Sequence, residues 1–102
     1  MKEIKVFVKH PGIRPYEAKV ENSLATFQAI VNGYIETLTL ANGLLIICDE
    51  EGRLKGYERC CRILGQWLCG TVIFAGYRGD EFSDCPVNET GLKALLPRLW
   101  EE

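Results

Sequence analysis

The apolar positions near the start of the chain recur at every second residue. Ile4, Val6 and Val8 occupy alternate positions, a spacing that predicts a half-buried strand. Pro11-Gly12 predicts a turn after it. A second strand is predicted over residues 16–20, antiparallel to the first because the two are close in sequence.

The spacing then changes to that of a helix. Asn22 or Ser23 is a favourable N-cap, and the predicted helix runs to Asn32. Gly33 is predicted to end it in the left-handed conformation that glycine adopts without strain. The apolar face repeats every three to four positions and consists of Leu24, Phe27, Ile30 and Val31.

The segment from Gly33 to Gly56 contains the strongest local signal in the chain. Two strand-like runs, Tyr34–Leu40 and Leu44–Asp49, are separated by Asn42-Gly43. Asn-Gly favours a type I′ turn, so a hairpin is predicted. The second run is apolar at successive positions, which predicts a strand in the interior of the sheet.

The remainder of the chain gives a weaker pattern. Residues 53–67 predict a short helical turn and a loop, and residues 70–77 predict a strand rich in Val, Ile and Phe. A helix is predicted from Asn88, with Pro97 kinking or shortening it. Its apolar stripe consists of Leu92, Leu95, Leu96, Leu99 and Trp100.

These elements predict an α+β fold. We expect residues 1–102 to form a single small domain, with a largely antiparallel mixed sheet of about five strands and two helices packed on one face. A chain of 102 residues supports one core of this size.

Composition excludes several classes of function. The net charge of −2 argues against general nucleic-acid binding, which needs a basic surface. No apolar run approaches the roughly 20 residues of a membrane span, and no secretory signal precedes the first strand. We therefore expect a cytoplasmic protein that does not bind membranes.

The cysteines and the histidine do not form a recognisable reactive motif. The five cysteines are an odd number without a secretory signal, which favours reduced thiols over disulfides. Cys60 and Cys61 are adjacent, an awkward spacing for one tetrahedral zinc, and His10 is remote in sequence. We expect no catalytic residues, no metal and no cofactor, although a pairing of His10 with Cys60 or Cys61 as base and nucleophile stays open.

The central segment carries a family resemblance. GYIE at positions 33–36 and LLIICDEEGRLKG at positions 44–56 resemble the family numbered 3846 among the domains of unknown function. The resemblance covers most of the chain and departs between positions 54 and 69, where the family commonly has a Pro-Leu-Asn-Arg-like stretch. It implies a small protein of a bacteriophage, plasmid or conjugative element, and it implies no activity.

The candidate site lies in the segment that departs from the family. Four basic residues and one acid give residues 53–67 a local charge of +3, against the sign of the whole chain. Arginines clustered with aromatic residues are typical of phosphate recognition and of protein interfaces, although such a run is also common on an ordinary solvated connection. The candidate binding residues are Arg53, Tyr57, Arg59, Arg62 and Trp67.

Two kinds of binding follow from that candidate site. The first is a binding or adaptor protein that engages a host or element macromolecule, most simply another protein, without catalysis. The alternative is a protein that sequesters a small anionic ligand or nucleotide in an arginine–aromatic pocket. A protruding surface would favour the first and a concave pocket with converging donors the second; the sequence also leaves a homo-oligomer open.

Overall fold

The fold is built around a sheet that is apolar on both of its faces. The computed structural model describes residues 2–41 and 43–101. The elements in these residues are β1 (Glu3–Lys9), β2 (Tyr16–Glu21), α1 (Leu24–Val31), β3 (Ile35–Ala41), β4 (Leu44–Asp49), β5 (Arg59–Ile63), β6 (Gln66–Cys69), β7 (Val72–Arg78), β8 (Glu81–Ser83), α2 (Glu89–Leu95) and a 3-10 helix, Pro97–Trp100.

The main sheet is antiparallel between all the neighbouring strands that the structure describes. Its strand order is β2-β1-β7-β4-β3, and the short β8 also pairs with β7. β5 and β6 form a separate two-stranded sheet. The predicted α+β class, with two helices and a mostly antiparallel sheet of about five strands, is confirmed.

Successive residues of the interior strands belong to different apolar clusters. In β4, Leu44, Ile46 and Cys48 lie in one cluster, whereas Leu45 and Ile47 lie in the other. This division follows from the period of two in a strand, which sends neighbouring side chains to opposite faces. The sheet is thus the middle layer of three, because other elements must cover the apolar residues on each of its faces.

The two helices lie on opposite faces of the sheet, so the predicted placement on one face is wrong. Phe27 and Val31 of α1 pack in the cluster that contains Ile47. Leu92 of α2 and Leu99 of the 3-10 helix pack in the other cluster, together with the β5–β6 hairpin. The physical reason is the two-sided apolar character of β4 and β7, because each face needs its own cover.

Helix α1 begins where predicted and ends one residue earlier than expected. The amide of Thr26 donates to the Ser23 hydroxyl oxygen at 3.2 Å, so Ser23 is the N-cap. The left-handed residue at the C-terminus is Asn32, with φ of 63°, rather than Gly33. Asparagine tolerates this conformation better than most residues.

The predicted hairpin of β3 and β4 is confirmed. The two strands pair antiparallel, with Leu38 opposite Ile46. Gly43 has a φ of 81°, as a hairpin turn of the primed type requires. Asn42, the other half of the predicted turn, lies outside the described residues.

The segment with the weakest sequence pattern differs most from prediction. Residues 53–67 are predicted as a helical turn and a loop, but only the turn up to Gly56 is correct, and β5 and β6 follow it.

The C-terminal helix follows Asn88 and is shortened by Pro97, as predicted. Helix α2 ends at Leu95, and the chain continues from Pro97 as a 3-10 helix, because proline lacks the amide that the next turn of an α-helix needs.

Candidate functional site

The β5–β6 hairpin positions most of the candidate residues, and its turn explains why it forms. Leu64 and Gly65 connect the strands with φ of 54° and 78°. Positive φ at both central residues is the requirement of a two-residue type I′ turn. The strands then pair with Ile63 opposite Gln66.

One face of this hairpin is buried and anchors it to the sheet. Cys61, Ile63 and Leu68 are buried in the apolar cluster shared with α2. A register shift between Arg59 and Cys61 marks a bulge in β5, and Cys60 beside it is also buried. The hairpin is therefore docked on the molecule, which leaves its other face outward.

The outer face of the hairpin carries an arginine–tryptophan group. Arg62 is directly opposite Trp67 in the strand register, so the two side chains share a face. The guanidinium carbon of Arg59 lies 5.1 Å from the centroid of the Trp67 ring, within the range of a cation–π contact. Both arginines are exposed and Trp67 is half-buried. We refer to Arg59, Arg62 and Trp67 as the hairpin face.

Of the two remaining candidates, Arg53 lies beside the hairpin face and Tyr57 lies apart from it. Arg53 and Trp67 line the same cavity. The Tyr57 hydroxyl donates to the Asn32 carbonyl at 3.2 Å and accepts from the Asn32 side-chain amide at 3.0 Å. Tyr57 thus ties the turn to the end of α1, and its ring packs so closely on Gly70 that a β-carbon there would lie 2.7 Å from it.

The cavity beside the hairpin face has a volume of about 500 Å³ and is predominantly acidic. Arg53 contributes one positive charge to it. Its chemically notable lining residues are the carboxylates of Glu36, Asp49 and Glu50, the side chains of Gln66, Trp67 and Arg53, and the thiols of Cys48 and Cys69. Burial, with smaller contributions from Glu36 and Asp49, raises the pKa of Cys48 to about 11, so this thiol is protonated at neutral pH.

The cavity residue Asp49 is buried and forms an ion pair with Lys55, which is exposed. The Lys55 ammonium donates to the Asp49 carboxylate at 2.7 Å and to the Asn32 carbonyl at 3.1 Å. The Asp49 carboxylate also accepts from the amide of Glu51 at 2.9 Å. The hydrogen bond to Asp49 is the main reason that the pKa of Lys55 is raised. The ion pair fixes the turn that follows β4, so the Asp49 carboxylate has a structural role.

His10 forms hydrogen bonds with two hydroxyl groups. Its Nδ1 hydrogen-bonds the Thr71 hydroxyl and its Nε2 the Tyr16 hydroxyl, each at 2.8 Å. The Cys60 thiol donates to the Lys9 carbonyl at 3.3 Å. The two hydrogen bonds of His10 connect the end of β1 to Tyr16 and to Thr71, which immediately precedes β7. They involve neither Cys60 nor Cys61.

The described residues contain neither a metal-binding cluster nor a membrane-spanning helix. In residues 2–41 and 43–101, no group of three or more His, Cys, Asp or Glu side chains is placed to hold a metal ion. Over the same residues, no helix is long and apolar enough to cross a membrane.

The signal for the hairpin was present in the sequence at Leu64-Gly65. A glycine at the second turn position lies between two runs with buried residues at alternate positions, Cys61 and Ile63 on one side and Leu68 on the other. Leucine at the first turn position concealed this signal, because asparagine, aspartate or glycine is the usual residue there.

The fold and these sites together define a small single-domain α+β protein with a cationic, aromatic hairpin docked on one face of its sheet. The chain belongs to the family described as domain of unknown function (DUF3846), whose model matches residues 4–95. The family predicted from the sequence is therefore confirmed, and the matched region includes the whole hairpin. Comparisons with curated proteins and with solved structures give no significant match.

Proposed function

We propose that this protein is a binding module, without catalytic activity, that engages an acidic surface of a protein partner through the hairpin face. The observation that carries the proposal is the position of Arg59, Arg62 and Trp67 on the outward side of a docked hairpin. Arginine and tryptophan are enriched among the residues that contribute most to protein interfaces.

The shape of the hairpin face favours a macromolecule over a small ligand. Arg59 and Arg62 are exposed and lie on the same strand, β5, of a two-stranded ribbon. A small-molecule site is a concave pocket that buries most of its ligand, whereas these guanidinium groups are presented outward. The Trp67 ring supports Arg59 in a preferred position, which lowers the entropy lost when the arginine binds a partner.

The neighbouring cavity supports a second candidate, the small anionic ligand. Its volume of about 500 Å³ is in the usual range for ligand pockets, and Arg53 and Trp67 line it. Three carboxylates line it as well, and like charges repel an anion at close range. We therefore rank the anionic ligand below the protein partner.

The setting we propose is the cytoplasm of a bacterium that carries a phage or another mobile element. The motif resemblance of the central segment supports the mobile element. The five cysteines support a reducing compartment, because they are present as thiols and four of them are buried, an arrangement typical of intracellular proteins.

A charge-reversal experiment tests the proposal. The double substitution Arg59→Glu with Arg62→Glu is expected to leave folding intact, because both side chains are exposed, and to abolish capture of the partner from a bacterial lysate. The matched control is Lys19→Glu with Arg78→Glu. These residues are also exposed, lie on β2 and β7, and give the same change of net charge.

Quantitative mass spectrometry of the captured proteins decides the result. Retention of a partner by the wild type and the control, with its loss from the hairpin variant, supports the proposal. Equal capture by all three folded proteins would exclude the hairpin face as the binding surface.

A further inference from the structure

A small apolar notch adjoins the hairpin face on the side of the C-terminal helices. It has a volume of about 240 Å³. Its lining residues are Arg62, Ile63, Leu95, Leu96, Pro97, Arg98 and Leu99. Arg62 belongs both to this notch and to the hairpin face, so the two surfaces are continuous.

The notch lies among leucines that the fold does not bury. Leu95 is 54% exposed, and Leu64, which follows the notch residue Ile63 in the chain, is 72% exposed. Leu64 also has a φ of 54°, a conformation that costs roughly 1–2 kcal/mol for a residue with a β-carbon. Leu64 is strained and solvent-exposed at a turn position that suits asparagine or glycine, so it contributes no stability to the fold. Local conflicts of this kind are expected where a residue serves binding.

The charges beside the notch specify its occupant. Arg62 and Arg98 are both exposed and both line it. Among the described residues, neither arginine forms an ion pair with a carboxylate. A segment that fills the notch therefore meets apolar walls with a guanidinium group on the hairpin side and another on the helix side.

The size of the notch decides between a small molecule and one side chain. A volume of about 240 Å³ is below the ~300–1,000 Å³ of typical small-molecule pockets. It suits a single large apolar side chain inserted from a partner, as in peptide recognition through anchor residues.

We propose that the notch binds an acidic peptide segment of the partner protein, with one leucine or phenylalanine side chain inserted between Ile63 and Leu95 and flanking carboxylates on Arg62 and Arg98. This inference rests on the proposed function and names the chemistry of the partner. Carboxylates pair with guanidinium groups in a two-pronged geometry, and the buried anchor supplies the apolar contact that surface ion pairs lack.

A displayed library of random dodecapeptides, selected on the immobilised wild-type protein, tests the inference. We expect the recovered peptides to share a leucine or phenylalanine with aspartate or glutamate within two positions. Leu95→Asp and Arg98→Glu should each weaken binding of the recovered peptides by at least about tenfold.

Matched controls exist for both substitutions. Leu24→Asp places the same charge at a leucine that is 56% exposed and lies on α1, on the opposite face of the sheet. Arg78→Glu reverses an exposed arginine on β7. Both controls should bind the recovered peptides within twofold of the wild type.

The outcomes separate this inference from the proposed function. Recovery of no peptide, or of peptides without acidic residues, would overturn the inference, as would binding that Leu95→Asp and Arg98→Glu leave unchanged. If binding then depends on Arg59 and Trp67 alone, the inference fails and the hairpin face stands. If the Arg59→Glu, Arg62→Glu variant also binds the peptides normally and captures the lysate partner, both proposals fail.

Discussion

At the scale of residues, a side chain at Gly33 would meet the ion pair of Asp49 and Lys55. A β-carbon there would lie 2.6 Å from Cγ of Asp49 and 2.6 Å from the Lys55 ammonium. Such distances require the ion pair to shift, and displacing the buried Asp49 carboxylate loses hydrogen bonds that water does not replace. The glycine is thus selected by close approach of side chains rather than by its own backbone angle.

We expect Gly33→Ala to lower the free energy of unfolding by roughly 2 kcal/mol. Most of that cost should disappear in an Asp49→Ala background, since the buried carboxylate is then absent and the partly exposed Lys55 side chain can move away from the new methyl group. Denaturant unfolding of the four proteins in this cycle measures the coupling. Additive costs would mean that the methyl group disturbs something other than Asp49.

The thiols are expected to differ sharply in reactivity. Cys69 is half-buried and lines the cavity, whereas Cys48 is buried with a pKa of about 11, and only a thiolate reacts. Iodoacetamide at pH 8 should therefore label Cys69 first and Cys48 slowly, with all five cysteines labelled after denaturation without reductant. Peptide mapping by mass spectrometry checks this; fewer than five labels in the denatured protein would reveal a disulfide.

At the scale of elements, the turn of the β5–β6 hairpin combines correct geometry with an unfavourable residue. Gly65 suits its position, but Leu64 adopts a left-handed conformation with most of its side chain in water. The hairpin forms because its inner residues are buried in the shared cluster, and packing of that kind readily outweighs a local penalty of ~1 kcal/mol.

Leu64→Asn is expected to raise the free energy of unfolding by ~1 kcal/mol, because asparagine accepts the left-handed conformation more easily. The same substitution should weaken binding of the acidic peptides. Thermal unfolding and peptide titration together make the check. A stabilised variant that binds peptide as tightly as the wild type would remove Leu64 from the binding surface.

The C-terminal helices contain leucines with opposite roles. Leu92 is fully buried in the cluster under the hairpin, whereas Leu95, one turn later, lines the notch and is 54% exposed. Leu92→Ala should cost about 2–5 kcal/mol of stability, the usual cost of a core leucine. Leu95→Ala should cost less than about 1 kcal/mol. Equal costs in chemical denaturation would show that α2 is not docked as described.

At the scale of the whole molecule, the sequence was informative wherever apolar residues had a clear period. Three patterns predicted the sheet correctly: the alternating apolar residues of β1, the Asn-Gly dipeptide between two strand-like runs, and the continuous apolar run of β4. The prediction that both helices lie on one face was wrong because it treated Leu44–Cys48 as one interior strand. It did not take into account that β1 and β7 of the same sheet also carry apolar residues on both faces.

The candidate site was predicted by residue but not by arrangement. Clustered charge and aromatic residues indicated Arg59, Arg62 and Trp67, and the strand register then brought these three together. Tyr57 lies only two positions from Arg59 in sequence, but its hydroxyl bonds with Asn32 hold it at the end of α1. Contacts between residues distant in sequence, such as those that form the notch, have no signature in local spacing.

Site-specific photo-crosslinking is the measurement that tests the hairpin face most directly. A photoreactive amino acid at position 64, the exposed residue at the turn of the hairpin, should form a crosslink with one protein of defined mass in a bacterial lysate. The same probe at position 19, on the exposed edge strand β2, should form none, and Arg59→Glu with Arg62→Glu should abolish the crosslink from position 64. Crosslinking from position 19 alone, or from position 64 regardless of the two arginines, would contradict the account.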